Sequence, residues 1–308
     1  MINEYKKPSL NLTIVIVNYR SWSKLRKLLN SIKNQSKKTI VVDNNSNDHK
    51  INTFKKEFKW VKWIENSYNH GFSKGCNIGA KNIKSKWILF LNPDTIIQKD
   101  SLKTLIPYCE LNPSFHLITI KQIDHNSKNT HPYGIFPNFL NLISIFRFLE
   151  RLILKPKQQK KSLSKVRIGY PDWISGSFIL IRDIHFKKLN GWDENFWMYC
   201  EDVDLSIRAS KIKLNRVLLN DWSCIHFHGG SSRKNFKIKI TCKAEVIIST
   251  QKYILKNFKP GYKIISIIWF LLLKFFGLLI LTPFSKEKRH ILLKLINYYK
   301  KNPLSFKT

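Results

Sequence analysis

The chain has 308 residues, of which 43% are hydrophobic and 13% aromatic, so it is long enough for roughly two domains or one large α/β unit, and a disordered or collagen-like chain is excluded. Its 54 Lys and Arg residues outnumber 20 Asp and Glu residues, giving a net charge of +34 that favours an anionic partner such as lipid headgroups, nucleic acid or a diphosphate compound. A coding bias toward Lys, Asn and Ile would explain part of that excess.

The N-terminal region enters its first apolar run at 12–17, which is too short and wrongly flanked for a signal peptide. The five cysteines form no CxxC pair and are odd in number. Neither a disulfide framework nor a zinc ribbon is therefore indicated, and we expect a reducing compartment.

The first 120 residues alternate between short apolar runs and amphipathic stretches, a pattern typical of βαβ units in a parallel sheet. Between the first two strands, Trp22, Leu25, Leu28, Leu29 and Ile32 recur at helical spacing. Polar residues follow each predicted strand, and ligands bind beyond the carboxyl ends of parallel strands. We therefore expect these turns to line one crevice. The predicted strands are 12–17, 39–42, 61–64 and 87–91.

Three glycines, Gly71, Gly75 and Gly79, recur every four residues after the third predicted strand. This spacing matches neither the dinucleotide-binding fingerprint nor the P-loop. It predicts a helix with a small face that lies close to the sheet. The N-terminus of this helix is also a candidate diphosphate site, with Lys74 nearby.

Asp94 directly follows the fourth predicted strand, and Pro93 ends the strand pairing before it. A carboxylate at that position suits Mg²⁺ or Mn²⁺, which prefer oxygen ligands and share them with substrate phosphates. An ordinary turn aspartate would account for the same residues.

The middle segment, 121–170, is strongly basic. It contains an amphipathic stretch at 139–154 and then a polybasic run at 155–161. This order is typical of a protein that lies on an anionic membrane. A core-packed helix followed by a solvated loop is the alternative.

Acidic residues cluster late in the chain, and the densest group is Glu201, Asp202 and Asp204, just before a predicted helix at 205–211. Carboxylates this close repel one another unless they share a cation or a proton. The alternative is a helix N-terminus with an Asp204–Arg208 pair. Farther on, His226 precedes His228 and two glycines, which fits a ligand on a turn or a hydrogen-bonded core histidine.

The segment 264–284 carries one charge, Lys274. Its length permits a membrane span, for which about 20 residues suffice. The central lysine costs about 2.5–3.5 kcal/mol on insertion scales. We therefore predict an interfacial or partly inserted helix in preference to a span or a packed core helix.

Taken in order, these motifs resemble family-2 glycosyltransferases of the GT-A fold, in particular the rhamnosyltransferase-like branch, over roughly 12–232. The resemblance implies a GT-A (Rossmann-like) α/β fold with a mostly parallel central sheet flanked by helices. Its domain would span 1–232, divided at 1–120, 121–170 and 171–232 into a nucleotide-binding part, a basic acceptor or membrane-proximal part, and an acceptor and catalytic part. The motifs do not cover the chain after 232, where the apolar segment predicts a C-terminal apolar helical appendage and a membrane-associating region at 233–308. The motifs are Asn18-Tyr19, Asp43-Asn44-Asn45-Ser46, Asn69-x-Gly71-Phe72, Asn77, Asn92-Pro93-Asp94, Ser175-Gly176-Ser177, Gly191-Trp192-Asp193-Glu194, Glu201-Asp202-Val203-Asp204 and His226.

The same resemblance implies roles for single residues. Asp43 would recognise the nucleotide base, with Asn18 in the same pocket. Asp94 would hold Mn²⁺ or Mg²⁺ on the donor diphosphate, with His226 as a further ligand, and Asp202 would be the general base. The other implied substrate-binding positions are Asn69, Gly71, Asn77, Asn92, Trp173, Gly176 and Glu201.

Two departures from the family pattern bear on these roles. Asn92-Pro93-Asp94 stands where the family usually has Asp-x-Asp, which removes one carboxylate. His228 competes with His226 as a ligand, and Glu201 or Asp204 could be the base in place of Asp202.

We therefore predict an inverting, metal-dependent glycosyltransferase, with rhamnosyl transfer as a candidate, that uses a nucleoside-diphosphate sugar and a glycan or polyprenyl-linked acceptor in cell-surface polysaccharide synthesis. It would act at the cytoplasmic face of the cell membrane, as a peripheral or monotopic protein on an anionic surface. One alternative is a metal-dependent nucleic-acid enzyme, but the sequence has no recognised nucleic-acid motif and no nucleic-acid partner is expected. The other alternative is a binding protein with a degenerate centre, against which the intact acid cluster argues.

Overall fold

The structure is a computed structural model that describes residues 10–36, 38–138, 142, 163–227 and 235–303. Three predictions concern residues outside the described ranges. They are the amphipathic stretch at 139–154, of which only position 142 is described, the polybasic run at 155–161, and His228.

Eleven strands and nine helices are present in the part of the chain that the structure describes. The strands are β1 (Leu12–Asn18), β2 (Lys38–Asp43), β3 (Val61–Glu65), β4 (Trp87–Leu91), β5 (Thr95–Ile97), β6 (Leu117–Ile123), β7 (Tyr133–Gly134), β8 (Ile168–Gly169), β9 (Trp173–Ile174), β10 (Phe178–Arg182) and β11 (Arg216–His226). The helices are α1 (Trp22–Ile32), α2 (Lys50–Glu57), α3 (Gly71–Ala80), α4 (Ser101–Glu110), α5 (Asp183–Lys188), α6 (Glu201–Lys211), α7 (Phe236–Asn257), α8 (Pro260–Leu281) and α9 (Lys286–Lys301).

A central sheet has the strand order β3-β2-β1-β4-β10-β6-β11-β5, with β8 paired to β11. Strands β1 to β4 are parallel to one another, which confirms the βαβ prediction. Strand β10 runs antiparallel between β4 and β6, and β11 is parallel to β6. The expected α/β fold with a mostly parallel sheet is therefore present.

Helices cover both faces of this sheet, so β1 is buried throughout. Leu12, Ile14 and Ile16 pack on one face with the buried side of α1, and Val15 and Val17 pack on the other. The predicted small face of α3 lies against that second face, because a Cβ added at Gly75 would meet Val17 at 2.8 Å.

The reversal of β10 brings distant loops to one edge of the sheet. Phe178 at the start of β10 pairs with Leu91 at the end of β4, so the turn before β10 lies beside the turn after β4. In the same way, His226 at the end of β11 pairs with Thr95 of β5. The carboxyl edge of the sheet therefore collects residues from both halves of the chain.

The last three helices pack together, and α7 contacts the segment around the start of α6. The Ser249 hydroxyl donates to the Met198 carbonyl at 2.8 Å, and the Lys256 ammonium lies 2.6 Å from carboxylate oxygens of Asp193 and Asp204. Helix α8 contains most of the predicted apolar segment, and only 22% of its most apolar stretch is buried. By length and composition it is the one helix, among the residues described, that could cross a membrane.

Candidate active site

A cavity of about 630 Å³ opens at the carboxyl edge of the sheet. Loops from both halves of the chain line it, together with the segment before α6 and the first two turns of α7. The residues that line it include Tyr19, Arg20, Asn44, Asn69, Gly71, Phe72, Asn92, Asp94, Gly176, Ser177, Trp197, Met198, Tyr199, Glu201, Asp202, His226, Asn235, Lys237 and Thr241.

Asn18 and Asp43 lie beneath one side of this cavity and are not among the described lining residues. The Asn18 amide donates to Asp43 Oδ1 at 2.7 Å, and the backbone N–H of Ser46 donates to Asp43 Oδ2 at 2.9 Å. Ser46 in turn accepts the backbone N–H of Arg20 at 2.7 Å. The buried pair therefore fixes the turn that presents Tyr19 and Arg20 to the cavity. The contact of Asp43 with a nucleotide base stays a prediction.

The Asn69–Gly71 turn lines the cavity beside the turn that follows Asp43, because the Asn44 amide donates to the Gly71 carbonyl at 2.7 Å. Gly71 has φ +84°, and a Cβ there would lie 2.2 Å from the Trp197 carbonyl oxygen. That close approach lets the Phe72 N–H donate to the same oxygen at 2.7 Å. Glycine is thus required both for the backbone angle and for the contact with the segment before α6.

Asn77 and Trp173 are predicted site residues that the structure places outside the described cavity lining. The Asn77 side chain bonds both the N–H and the carbonyl of Trp192, at 2.9 and 2.8 Å. The Trp173 ring nitrogen donates to the Ile135 carbonyl at 2.8 Å. Both side chains bond loop backbone, and neither is among the described residues that line the cavity.

Asp94 and His226 meet in the cavity although they are far apart in sequence. His226 Nε2 lies 3.3 Å from Asp94 Oδ1, and both side chains are buried. His226 Nδ1 lies 2.8 Å from Gln122 Oε1, and the Gln122 amide donates to the Ser177 hydroxyl at 2.8 Å. Because a glutamine carbonyl oxygen only accepts, Nδ1 carries the proton of this hydrogen bond, and the ring turns Nε2 toward the Asp94 carboxylate.

An imidazole nitrogen and a carboxylate oxygen are both ligand types for divalent cations, and their separation of 3.3 Å would let one cation contact both. Among the described residues, no group of three or more His, Cys, Asp or Glu side chains could hold a metal. A Mg²⁺ or Mn²⁺ ion commonly takes one or two protein ligands and completes its shell with substrate phosphates and water. Asp94 and His226 therefore fit a cation that is shared with a phosphorylated substrate.

A lysine lies beside this pair, and an arginine lines the same cavity. Lys24 Nζ lies 3.9 Å from Asp94 Oδ2 and donates to the Phe227 carbonyl at 3.4 Å. Arg20 lines the same cavity. This side of the site is suited to an anionic group such as a diphosphate.

The three clustered carboxylates have different surroundings. Asp204 is fully buried, and its carboxylate forms ion pairs with Arg208 at 2.7 Å and with Lys256 at 2.6 Å. The predicted Asp204–Arg208 pair is therefore present. Asp204 is occupied in a structural role and does not line the cavity, so the geometry does not support it as the general base.

Glu201 and Asp202 both line the cavity. Burial, followed by the charge of Asp202, raises the pKa of Glu201 well above its ordinary value. Asp202 accepts backbone N–H groups from Gly176 at 3.1 Å and from Val203 at 2.8 Å. Burial raises the pKa of Asp202, and these hydrogen bonds oppose that rise by stabilising its charged form.

The backbone before α6 is bent at two consecutive non-glycine residues. Tyr199 has φ +71° and Cys200 has φ +63°, a left-handed conformation that is rare for such side chains. Such strain concentrates at functional sites. This turn places the start of α6, with Glu201 and Asp202, at the rim of the cavity.

Sequence reasoning missed several lining residues. They are Arg20, the aromatic segment before α6, and the first turns of α7. These residues belong to no recognised sequence motif. Only contacts between distant segments bring them into the site. Gln122 was missed for the same reason, since it acts through His226.

The chain was compared with known proteins. Residues 13–184 match the family described as "Glycosyl transferase family 2". The rhamnosyltransferase WbbL of Escherichia coli K12 is 29% identical over 233 residues, which cover 72% of this chain and 86% of that protein. The N-acetylglucosaminyl-diphospho-decaprenol L-rhamnosyltransferase of Mycobacterium tuberculosis CDC 1551 is 22% identical over 249 residues, covering 73% of this chain and 78% of the relative.

A solved structure agrees with the fold. The mannosyltransferase PcManGT from Pyrobaculum calidifontis, crystallised with GDP-Man and Mn²⁺, superposes with a TM-score of 0.53 at 11% identity, covering 96% of this chain and 82% of its own. This similarity confirms the expected GT-A fold. None of these three proteins supports the alternative of a nucleic-acid enzyme.

Proposed function

We propose, from the premise that the chain belongs to glycosyltransferase family 2, that its cavity binds a nucleoside-diphosphate sugar and passes the sugar to a glycan or lipid-linked acceptor in cell-surface glycan synthesis. One observation carries this proposal. Asp94 with His226, and Asp202, line the same cavity, so a site suited to a diphosphate-bound cation lies together with a carboxylate that can act as a base.

The chemistry assigned to the chain is a single displacement. Asp202 accepts the proton of the acceptor hydroxyl while that oxygen forms its bond to the anomeric carbon. The bond from the anomeric carbon to the diphosphate oxygen breaks, and its electron pair leaves with the nucleoside diphosphate. Attack on the face opposite the leaving group inverts the anomeric configuration.

The leaving diphosphate is assigned to the side of the cavity that carries Asp94 and His226. A bound Mn²⁺ or Mg²⁺ held by Asp94 and His226 would supply charge for the leaving group. The positive charge of Lys24, next to Asp94, favours a diphosphate there, and Arg20 adds positive charge to the same cavity. Two of the compared relatives are named rhamnosyltransferases, which supports a nucleoside-diphosphate rhamnose as the first donor to test.

Asp202→Asn tests the base assignment. The amide keeps the shape of the side chain but cannot take a proton, so we expect turnover to fall about 10²- to 10⁴-fold. The measurement is nucleoside-diphosphate release from a panel of sugar nucleotides, with and without Mn²⁺ or Mg²⁺. Asp221→Asn is the matched control, because Asp221 pairs with Arg167 on the surface. Unchanged turnover in Asp202→Asn would show that another group is the base.

We also propose that the protein lies on an anionic membrane at the cytoplasmic face. Two observations support this. One face of α8 is apolar and exposed, with Trp269, Leu272 and Phe276 each more than half exposed, and the chain has a net charge of +34. An apolar helix face together with excess positive charge is typical of interfacial membrane binding.

A further inference from the structure

A second groove, of about 450 Å³, lies between α7 and α9. Lys237, Lys286, Lys294 and His290 line it together with apolar side chains, and no carboxylate lines it among the residues that the structure describes. Residues 286, 290 and 294 are four apart on α9 and therefore share one face of that helix. The groove thus presents three lysines and a histidine next to apolar side chains.

The nearest acidic residue on α9 does not neutralise these lysines. Glu287 pairs with Lys239 and Lys243 of α7, and these two lysines hold its pKa at about 2, well below its ordinary value. Lys294 Nζ donates to the Thr241 hydroxyl at 2.8 Å and interacts electrostatically with Glu245 of α7. Lys237 and Lys286 form no ion pair among the residues that the structure describes, so the groove keeps an excess of positive charge.

The groove adjoins the active-site cavity. Lys237 and Thr241, one turn apart on α7, line both spaces. A molecule whose reacting hydroxyl lies at Asp202 would therefore reach the groove past these two side chains.

We propose that this groove binds the diphosphate and the first isoprene units of a polyprenyl-diphosphate-linked acceptor, which rests on the proposed function. The lysine ammonium groups match the charge of a diphosphate. Phe236, Ile240 and Leu293 line the same groove and match the branched hydrocarbon that adjoins that diphosphate. A glycan acceptor without a charged lipid carrier would use neither feature.

The double substitution Lys286→Gln/Lys294→Gln tests the groove in the full chain. Farnesyl diphosphate is the probe, its binding is measured by titration calorimetry, and farnesol is the uncharged comparison. We expect the Kd for farnesyl diphosphate to rise at least about tenfold, because two charge-assisted contacts are lost. Lys300→Gln/Lys301→Gln removes the same charge from exposed positions of the same helix and should bind like the parent.

Three results would overturn the proposal. The first two are no binding of farnesyl diphosphate to the parent and equal binding to the two double variants. The third is displacement of farnesyl diphosphate by short-chain phosphatidylglycerol at equal concentration, which would make the groove a phospholipid site. Nucleoside-diphosphate release from sugar nucleotides is measured on the same proteins. If the parent releases no nucleoside diphosphate, the proposed function is wrong. If release is normal but Lys286→Gln/Lys294→Gln binds farnesyl diphosphate like the parent, only the proposal for the groove is wrong.

Discussion

At the residue scale, neighbouring carboxylates acquire different properties from their surroundings. Glu201 is buried, and one of its carboxylate oxygens has no hydrogen-bond partner among the described residues. Asp202 is half-buried and held by two backbone N–H groups. Burial without a partner favours the protonated form of Glu201, and this protonated neighbour adds no charge to oppose ionisation of Asp202.

Glu201→Gln should alter the pH dependence of stability. The folded-state pKa of Glu201 is raised, so its contribution to stability is fully present below the unfolded-state value and is lost as pH rises toward the folded-state value. For the parent, we expect the free energy of unfolding to fall above about pH 4.3, by at most about 1.4 kcal/mol per pH unit from this group. Glutamine mimics the protonated acid and removes that contribution.

Urea unfolding at pH 5 and pH 7.5 measures this difference. Glu201→Gln should lose less stability than the parent between the two values. Asp202 retains its own raised pKa in the variant, so the dependence should weaken and not vanish. Parallel stability profiles for parent and variant would mean that Glu201 is ionised in the folded protein.

Gln122→Leu tests whether Gln122 positions His226. The substitution keeps the volume of a buried side chain but removes the acceptor for His226 Nδ1. Losing such a partner typically weakens metal affinity about 10- to 100-fold, and we expect that loss for Mn²⁺ measured by electron paramagnetic resonance titration. Gln98→Leu is the matched control, since Gln98 is exposed and bonds Ser223. Mn²⁺ affinity equal to that of the parent would remove this role.

At the element scale, α8 has two different faces. Ile267, Phe270 and Leu278 pack in the cluster formed with α7 and α9, whereas the opposite face is exposed. Deleting the helix would therefore expose the core of the C-terminal region. Substitutions on the exposed face are a cleaner test of the membrane proposal.

The variant Ile265→Gln/Trp269→Gln/Leu272→Gln/Phe276→Gln should no longer float with anionic liposomes. Glutamine maintains helix propensity and removes apolar surface, so we expect the membrane-bound fraction to fall at least about tenfold relative to the parent. The control carries four Gln substitutions at exposed apolar residues elsewhere, Tyr68, Leu111, Val166 and Ile184, and should float normally. If the α8 variant floats to the same extent as the parent, the proposal that α8 binds the membrane is wrong.

At the scale of the whole molecule, the site depends on a mixed sheet in which β10 runs antiparallel to its neighbours. The first four strands supply the turns on the donor side, and the reversed β10 and the long β11 bring Gly176 and His226 to the same edge. Helices α7 and α9 then extend that edge into the basic groove. The division of the chain at 232 stays a prediction, although α7 joins both proposed parts through Lys256 and Ser249.

The sequence by itself determined the first four strands, the buried face of α1, the small face of α3 and the glycosyltransferase family, because burial patterns and short motifs are local. Only the tertiary structure decided that Asp204 is held in ion pairs while Asp202 faces the cavity, that Asn77 and Trp173 lie outside its described lining, and that Gln122 supports His226. These facts depend on which distant segments become neighbours. Strand order and direction fix that adjacency, and residue periodicity does not encode it.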